Sequence, residues 1–422
     1  MLEIRYNCKR IQKLISNKST HVSEEYLMKK DLVINAGSST LKWKLFSIPD
    51  ETVIATGLID RINLPNSVFM VKRPHHDPYK VVKPSITYDL AVTMLLSFLK
   101  DHGLVEHLRE ITGIGHRVVA GGEHFKDSVL IDDEVLAEIQ NLAEYAPLHN
   151  PVQARYIEIF KQLLSDVRQV AVFDTSLYAD MPKVNCLYPI PYEYYTDLGI
   201  RKYGAHGTSH RYVANRAAAL LKKDLSDLKM ITCHLGSGSS ITAFNQGRVI
   251  DTSMGFTPLG GVMMATRSGD LDPSLVGFLA EKLGISVNEV IDILNQKSGL
   301  LGISQLSPDQ RDLEDAENSN PQAKLALEMF INRVVRFIGS YVAELGGLDA
   351  LIFTAGCGEN GIAMRERIME QLAYFGINAD AERNNVRGKE QQINQVTDAV
   401  QVIVVPTNEE LMIARDIQRI LR

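Results

Sequence analysis

Asp31-Leu-Val-Ile-Asn-Ala-Gly-Ser-Ser-Thr-Leu-Lys-Trp-Lys-Leu-Phe46 sets a Gly/Ser-rich turn between two apolar runs, and Met230-Ile-Thr-Cys-His-Leu-Gly-Ser-Gly-Ser-Ser-Ile-Thr-Ala-Phe244 repeats that layout past the middle of the chain. Glycine permits a tight turn and lets backbone N–H groups approach an anion, while Ser and Thr add hydroxyl donors. One such turn fits any hairpin. A third strand is expected after each, at 52–59 and 248–252, so the repeat extends beyond the turn. Two copies in two halves imply a duplicated domain that grips a polyphosphate from both sides.

The composition narrows the ligand. With 422 residues, 45% of them hydrophobic, the chain can bury more than one core. A net charge of -6 argues against nucleic acid or an anionic membrane, which need clustered positive charge, and favours a small ligand. No apolar run approaches the roughly 20 residues that span a bilayer, and no secretory pattern precedes a cleavage site, so the expectation is a cytoplasmic protein. Cys8, Cys186, Cys233 and Cys357 lack C-x-x-C spacing and read as buried reduced thiols. The first 27 residues differ from the rest: 9–18 is basic and polar, and Met28-Lys29-Lys30-Asp31 looks like a second start. Glu24-Glu25 is compatible with a GAGGA-type ribosome-binding sequence. The expectation is that Met28 is the true start and 1–27 a disordered extension or a misassigned start.

Strands and helices alternate with short turns, the α/β pattern. A helix is expected at 90–99 and a strand at 113–119. A doubly covered strand at 170–173 ends on Asp174, at the carboxyl edge where α/β sheets place ligand groups. Thr208 and Ser209 are expected to cap a helix over 210–222, and a long amphipathic helix over 323–345 stops at Gly346-Gly347. A strand at 350–354 should lead through a Gly-rich turn to a helix from about 362. A strand at 402–405 leads to a last helix, whose Ile413, Ile417 and Ile420 recur at helical spacing and should pack against the first domain.

Several motifs have a sharp and a bland reading. Gly356-Cys-Gly-Glu-Asn-Gly361 matches the dinucleotide fingerprint G-x-G-x-x-G, with Asp380 and Glu382 downstream, but no run of βαβ units follows it; it can still hold a nucleotide. The P-loop pattern G-x-x-x-x-G-K-[ST] does not occur. Arg117 and Arg267 both lie among glycines and apolar residues, and an arginine's fork of donors suits carboxylate or phosphate. The plain alternative for either is a salt bridge to a nearby acid such as Asp270. His206 and His210, one helical turn apart, suit either a metal or, for His206, donation to a transferring phosphoryl group. Asp174 and Glu409 are candidate magnesium ligands, direct or through water, with helix capping the plain alternative for Glu409.

Asn35-Ala-Gly-Ser-Ser, Gly115-His-Arg-Val-Val, Ala146-Pro-Leu-His-Asn-Pro, His206-Gly-Thr-Ser-His, Asp251-Thr-Ser-Met-Gly-Phe-Thr-Pro-Leu, Thr266-Arg-Ser-Gly-Asp, Phe353-Thr-Ala-Gly and Pro406-Thr-Asn-Glu-Glu occur in this order. With them the chain resembles the acetate kinase family of acyl-phosphate kinases over nearly all of 28–422. The resemblance implies two ribonuclease-H-like domains of the actin-like ATPase superfamily, here 28–176 with 411–422, and 177–410, the second binding nucleotide and forming a homodimer. It implies direct in-line transfer between ATP and a short carboxylate, giving an acyl phosphate and ADP with Mg2+ or Mn2+. Arg117 and Arg267 would hold the carboxylate and the moving phosphoryl group, and His206 would stabilise the transition state. Asn35, Asp174 and Glu409 would position metal and phosphates, with Ser38, Thr40 and Lys42 nearby. His234, Leu235, Gly236, Ser237 and Gly238, with Asp309, Gln310, Arg311 and Ala355, Gly356, Cys357, Gly358, Glu359, Asn360, would hold the nucleotide.

Departures from the family pattern bear on substrate. Ala205 stands where the family usually has Phe, in an apolar pocket with Val119, Leu148 and Pro258. Losing a ring there should enlarge the pocket, so propionate or a slightly longer acid is expected to be handled as well as acetate or better. Gln310 stands where an aromatic residue often lies by the adenine; Ala120 and Gly260 also depart, with no consequence that follows. The contrasting reading is an actin-like ATP-dependent clamp without a carboxylate substrate, against which the second anion site implied by Arg117 and Arg267 argues.

Overall fold

The computed structural model describes residues 29–147 and 149–422; the Met28 start, the preceding extension and Leu148 of the expected pocket lie outside the described residues. Two compact units emerge. One holds the described residues up to Val118 together with Ser128–Val172 and Ile413–Arg422, and the other holds Val119–Asp127 and Phe173–Met412. Residues 119–127 and 173–176 thus fall in the second unit, whereas the sequence division at 176 assigned them to the first.

Alternating apolar residues build the first sheet from β1 (Lys29–Ala36), β2 (Thr40–Ile48) and β3 (Val53–Asp60), antiparallel in turn. The register pairs Leu32 with Leu45 and Ile34 with Trp43, which sends one face of the hairpin into the core. β4 (Ser67–Lys72) and β5 (Tyr79–Lys83) extend one side, and β6 (Ile111–Val118), parallel to β1, starts the other, followed by β8 (Arg168–Phe173) and β7 (Val129–Leu130). The order is β5-β4-β3-β2-β1-β6-β8-β7. Helices Tyr88–Asp101 and Asn150–Leu163 bury Leu95, Leu99, Ile159 and Phe160 against it. The last helix, Glu409–Leu421, lays Ile413 and Ile417 on β6, where glycines leave room: a Cβ would sit 2.4 Å from Ile413 at Gly115 and 2.3 Å from Ile417 at Gly113.

The second sheet repeats the plan. β9 (Lys229–Leu235), β10 (Ser239–Asn245) and β11 (Arg248–Thr252) are antiparallel, β12 (Ala350–Thr354) runs parallel to β9, and β14 (Gln401–Val404) runs parallel to β12. With β13 (Gln391–Gln392) the order is β11-β10-β9-β12-β14-β13, so its first five strands match the run β3-β2-β1-β6-β8 of the first sheet. This is the duplication the two hairpins announce. Helix Pro321–Leu345 covers one face, packing Phe330, Val334 and Ile338 on Ile231, Cys233 and Ile241. Helix Gly207–Leu221 covers the other, packing Val213, Ala214 and Ala217 on Met230, Phe244 and Ile352.

Two local expectations are corrected. The helix expected from 210 begins at Gly207, with His206 at its N-cap, so Thr208 and Ser209 lie inside it. The reason is that the Gly207 N–H donates to the Asp174 carbonyl at 3.0 Å, which satisfies a helix-end donor without a hydroxyl cap. The expected Gly-rich turn after β12 is a short helix, Ala355–Asn360, followed by Ile362–Gln371. The Glu359 carboxylate takes the Ala355 N–H at 2.9 Å and closes that turn of helix.

Candidate active site

Strand alternation places Thr232 and His234 on one face of β9, opposite Thr242 and Ser240 of β10. That polar patch meets the start of the 207–221 helix. The Ser209 hydroxyl lies 2.8 Å from His234 Nδ1 and 2.7 Å from the Thr407 hydroxyl. His206 lies 2.8 Å from the Ser240 hydroxyl and stacks on His234, ring centroids 4.1 Å apart. His206 holds a left-handed backbone, φ 58°, which a residue with a side chain adopts at a cost commonly met at functional sites. His210 reaches the same Ser240 hydroxyl at 2.7 Å. The two histidines expected to suit a metal are thus joined through one serine.

Asp174 directly follows β8, buried, with the Thr208 hydroxyl donating to its Oδ1 at 3.4 Å. Its carbonyl fixes the helix start, and a Cβ on Gly207 would lie 2.2 Å from that oxygen, so the chain approaches closely only because residue 207 is glycine.

Arg267 is half-buried, and among the described residues its partners are the Pro258 carbonyl at 3.4 Å and the Met264 sulfur at 3.8 Å. The expected alternative, a salt bridge to Asp270, does not form; Asp270 accepts the Gly261 N–H at 2.7 Å instead. Desolvation lowers the guanidinium pKa from its ordinary value, as for a cation lacking an anion. A Cβ on Gly238 would lie 3.4 Å from His206 Nε2 and 3.5 Å from Arg267 Nη1, so both groups converge on that glycine. Of the expected pocket, Val119 and Pro258 are half-buried, and Ala205 is buried against Met254 and Met264. Flexible thioethers therefore stand where the missing ring was expected to leave space.

The two Gly-rich nucleotide segments adjoin, since a Cβ on Gly236 would lie 3.6 Å from Ala355 Cβ. Leu235 is buried at the end of β9, and the Ser237 carbonyl takes the Ala265 N–H at 3.2 Å. Gly356, Cys357, Gly358 and Asn360 belong to the short helix, and Glu359 bonds the Thr407 N–H at 3.0 Å besides that of Ala355. Asp309 caps the next helix, Gln310–Ala316, and the bidentate Arg311 pulls its pKa down to about 2. Gln310 gives its amide N–H to Glu314 at 2.6 Å, while its buried Oε1 has no partner among the described residues.

In the first unit, Arg117 Nη1 donates to Asn35 Oδ1 at 3.3 Å, and Asn35 faces Lys42 across the β1–β2 pair. The turn carrying Ser38 is closed by the Gly37 N–H on the Thr40 carbonyl at 2.8 Å. Glu409 opens the last helix, but Asn408 caps it, accepting the Leu411 N–H at 3.2 Å.

No group of three or more His, Cys, Asp or Glu able to hold a metal occurs among the described residues. Magnesium needs no such cage, because it takes one or two carboxylates, waters and the substrate's phosphates. The buried carboxylate of Asp174 is a hard oxygen donor of that kind. Ser240 and Thr232 were not picked out from the sequence, and Ser209 was read there only as a helix cap; the signal for Ser240 and Thr232 is polar residues alternating with apolar ones along β9 and β10.

The sequence profile of the acetokinase family matches residues 30–415. Acetate kinase 1 of Latilactobacillus sakei subsp. sakei strain 23K is 60% identical over 393 residues, which cover 93% of this chain and 100% of that protein. The crystal structure of Porphyromonas gingivalis acetate kinase superposes with a TM-score of 0.90 at 41% identity, covering 93% of this chain and 100% of that one. A propionate kinase from Francisella tularensis subsp. tularensis SCHU S4 gives 0.87 at 41% identity, with the same coverage. On this evidence the chain belongs to the acetokinase family.

Proposed function

We propose that the chain is an acetate kinase, transferring the γ-phosphoryl group of ATP to acetate by direct in-line displacement, reversibly. The observation that carries this reading is the identity of 60% to an acetate kinase along that protein's whole length. An acetate oxygen attacks the γ-phosphorus, the bond to the bridging β,γ-oxygen breaks, and ADP departs with that electron pair. Acetate is already ionised at neutral pH, so no general base is required. A loose phosphoryl transition state asks mainly for positioning and positive charge.

The residues take roles accordingly. Arg267, half-buried without an acid, holds an anion beside Gly238, and His206 donates to the moving phosphoryl group. Arg117 orients the carboxylate with Asn35 as its neighbour. Asp174, Asn35 and Glu409 would hold Mg2+ or Mn2+, and Ser38, Thr40 and Lys42 lie beside the phosphates. When bound, the metal neutralises charge on the phosphate oxygens. Segments 234–238 and 355–360, with Asp309, Gln310 and Arg311, form the nucleotide wall.

Propionate is the second reading, favoured by Ala205, although Met254 and Met264 lie against that residue. Homodimerisation is supported by exposed apolar residues on the second unit, among them Val184, Tyr192, Leu198, Phe278, Leu283 and Val287. A cytoplasmic location accords with the free thiols of Cys186, Cys233 and Cys357; no helix among the described residues is long and apolar enough to cross a membrane. The test is ADP release from Mg-ATP with formate, acetate, propionate or butyrate. Turnover that depends on acetate is expected, whereas ATP hydrolysis indifferent to every acid would move the chain to the clamp reading.

A further inference from the structure

The Ser240 hydroxyl lies between two imidazoles, 2.8 Å from Nδ1 of His206 and 2.7 Å from Nε2 of His210. The other nitrogen of His210, Nδ1, is 2.6 Å from the Thr232 hydroxyl. Ser240, His210 and Thr232 are fully buried. Among the described residues, neither the Ser240 hydroxyl nor the His210 ring has another hydrogen-bond partner.

Such a row has few protons to share. Burial, with His234 nearby, holds the pKa of His210 well below its ordinary value, so its ring is neutral, with one N–H and one lone pair. The protons can then point along the row in either direction. Thr232 chooses between them. Its one proton has two acceptors in reach, His210 Nδ1 at 2.6 Å and the Thr242 carbonyl at 3.5 Å, and the second is too long for a sound hydroxyl bond. Thr232 therefore donates to His210 Nδ1, His210 Nε2–H donates to Ser240, and Ser240 donates to His206 Nδ1. With Nδ1 accepting from Ser240, a proton on His206 is carried by Nε2, the atom that converges with Arg267 Nη1 on the face of Gly238.

We propose that Thr232, His210 and Ser240 form a one-way hydrogen-bond relay that fixes His206 as its Nε2–H tautomer, the form that donates to the transferring phosphoryl group. The proposal rests on the reading of His206 as the residue facing that group. The three relay members are positioning residues, acting only through His206. A donor already in the right tautomer and orientation needs no rearrangement when charge moves onto the phosphoryl oxygens. The relay also gives a role to Thr232 and Ser240, fully buried polar side chains on β9 and β10.

The test is a long-range proton–nitrogen correlation spectrum of enzyme labelled with 15N-histidine, with the His206 signals assigned by their loss in His206→Asn. The spectrum is expected to show His206 protonated on Nε2 alone. Ser240→Ala and the near-isosteric Thr232→Val are expected to give mixed tautomers and a kcat lower by about five- to tenfold, the bias of one hydrogen bond on that equilibrium. KM for ATP and acetate should stay within about twofold, because the relay touches neither substrate. Ser240→Thr, which keeps the hydroxyl, should restore both tautomer and kcat. A wild-type His206 protonated on Nδ1, or variants that fold and leave tautomer and kcat unchanged, would overturn the relay. His206→Asn with undiminished turnover would instead remove His206 from the phosphoryl group, and the wild-type spectrum would still decide the relay.

Discussion

His206 and Arg267 share one contact point: a methyl group on Gly238 would lie 3.4 Å from His206 Nε2 and 3.5 Å from Arg267 Nη1. Both are ordinary van der Waals separations, so Gly238→Ala should fold normally while the methyl fills the space between the two donors. The expected outcome is an unchanged melting temperature with kcat/KM for acetate lower by about 100-fold, the cost of displacing reacting groups by about 1 Å. Steady-state kinetics beside a thermal melt check it; full activity in the variant would contradict the convergence.

Arg267→Ala should separate activity from stability. No carboxylate among the described residues pairs with Arg267, so its removal breaks no ion pair and strands no buried acid. Turnover is expected to fall by about 100- to 1000-fold, as when a transition-state donor is lost. The urea midpoint should stay level or rise. A marked loss of stability would assign the arginine a structural role.

Asp31 predicts a pH dependence of folding. It is buried on β1, and its side-chain partners among the described residues are neutral, the Thr112 hydroxyl at 3.0 Å and the Gln418 amide at 2.7 Å; burial raises its pKa from 3.8 to about 6. As pH rises from 3.8, the unfolded chain ionises first while the folded chain keeps its proton. The Asp31 contribution to stability is therefore greatest below 3.8, declines up to about 6 and is flat above. The full decline is about 3 kcal/mol, from roughly 1.4 kcal/mol per pKa unit. Asp31→Asn should lose this slope and be at least as stable as wild type at pH 7, which urea unfolding of both proteins across that range will show. Parallel curves would contradict the shifted pKa.

Ala205→Phe tests the pocket. Met254 and Met264 already pack on Ala205, so a ring should overfill the site, costing about 1 to 3 kcal/mol and lowering the melting temperature. If Ala205 borders the acyl group, the propionate-to-acetate ratio of kcat/KM should fall by about tenfold or more, the usual range for one methylene. A ratio that does not move would place Ala205 outside the pocket.

The paired hairpins were legible because alternation and glycine act locally: β1 with β2 and β9 with β10 lie where apolar period and turn chemistry put them. The last helix was legible from Ile413 and Ile417, although Gly113 and Gly115, which admit them, gave no local sign of that role. The start of the 207–221 helix was misread because its N-terminal donor is satisfied by the distant Asp174 carbonyl, a tertiary contact no local pattern encodes. The relay was missed for a related reason. Thr232 and Ser240 become neighbours of His210 only after the β9–β10 register and the helix are both in place.

The most direct test of the central claim is trapping of acyl phosphate as the hydroxamate, with purified protein, Mg-ATP and acetate. The account predicts acetyl hydroxamate formed in step with ADP, abolished without acetate and reduced in Arg267→Ala. ADP released without any hydroxamate would contradict it.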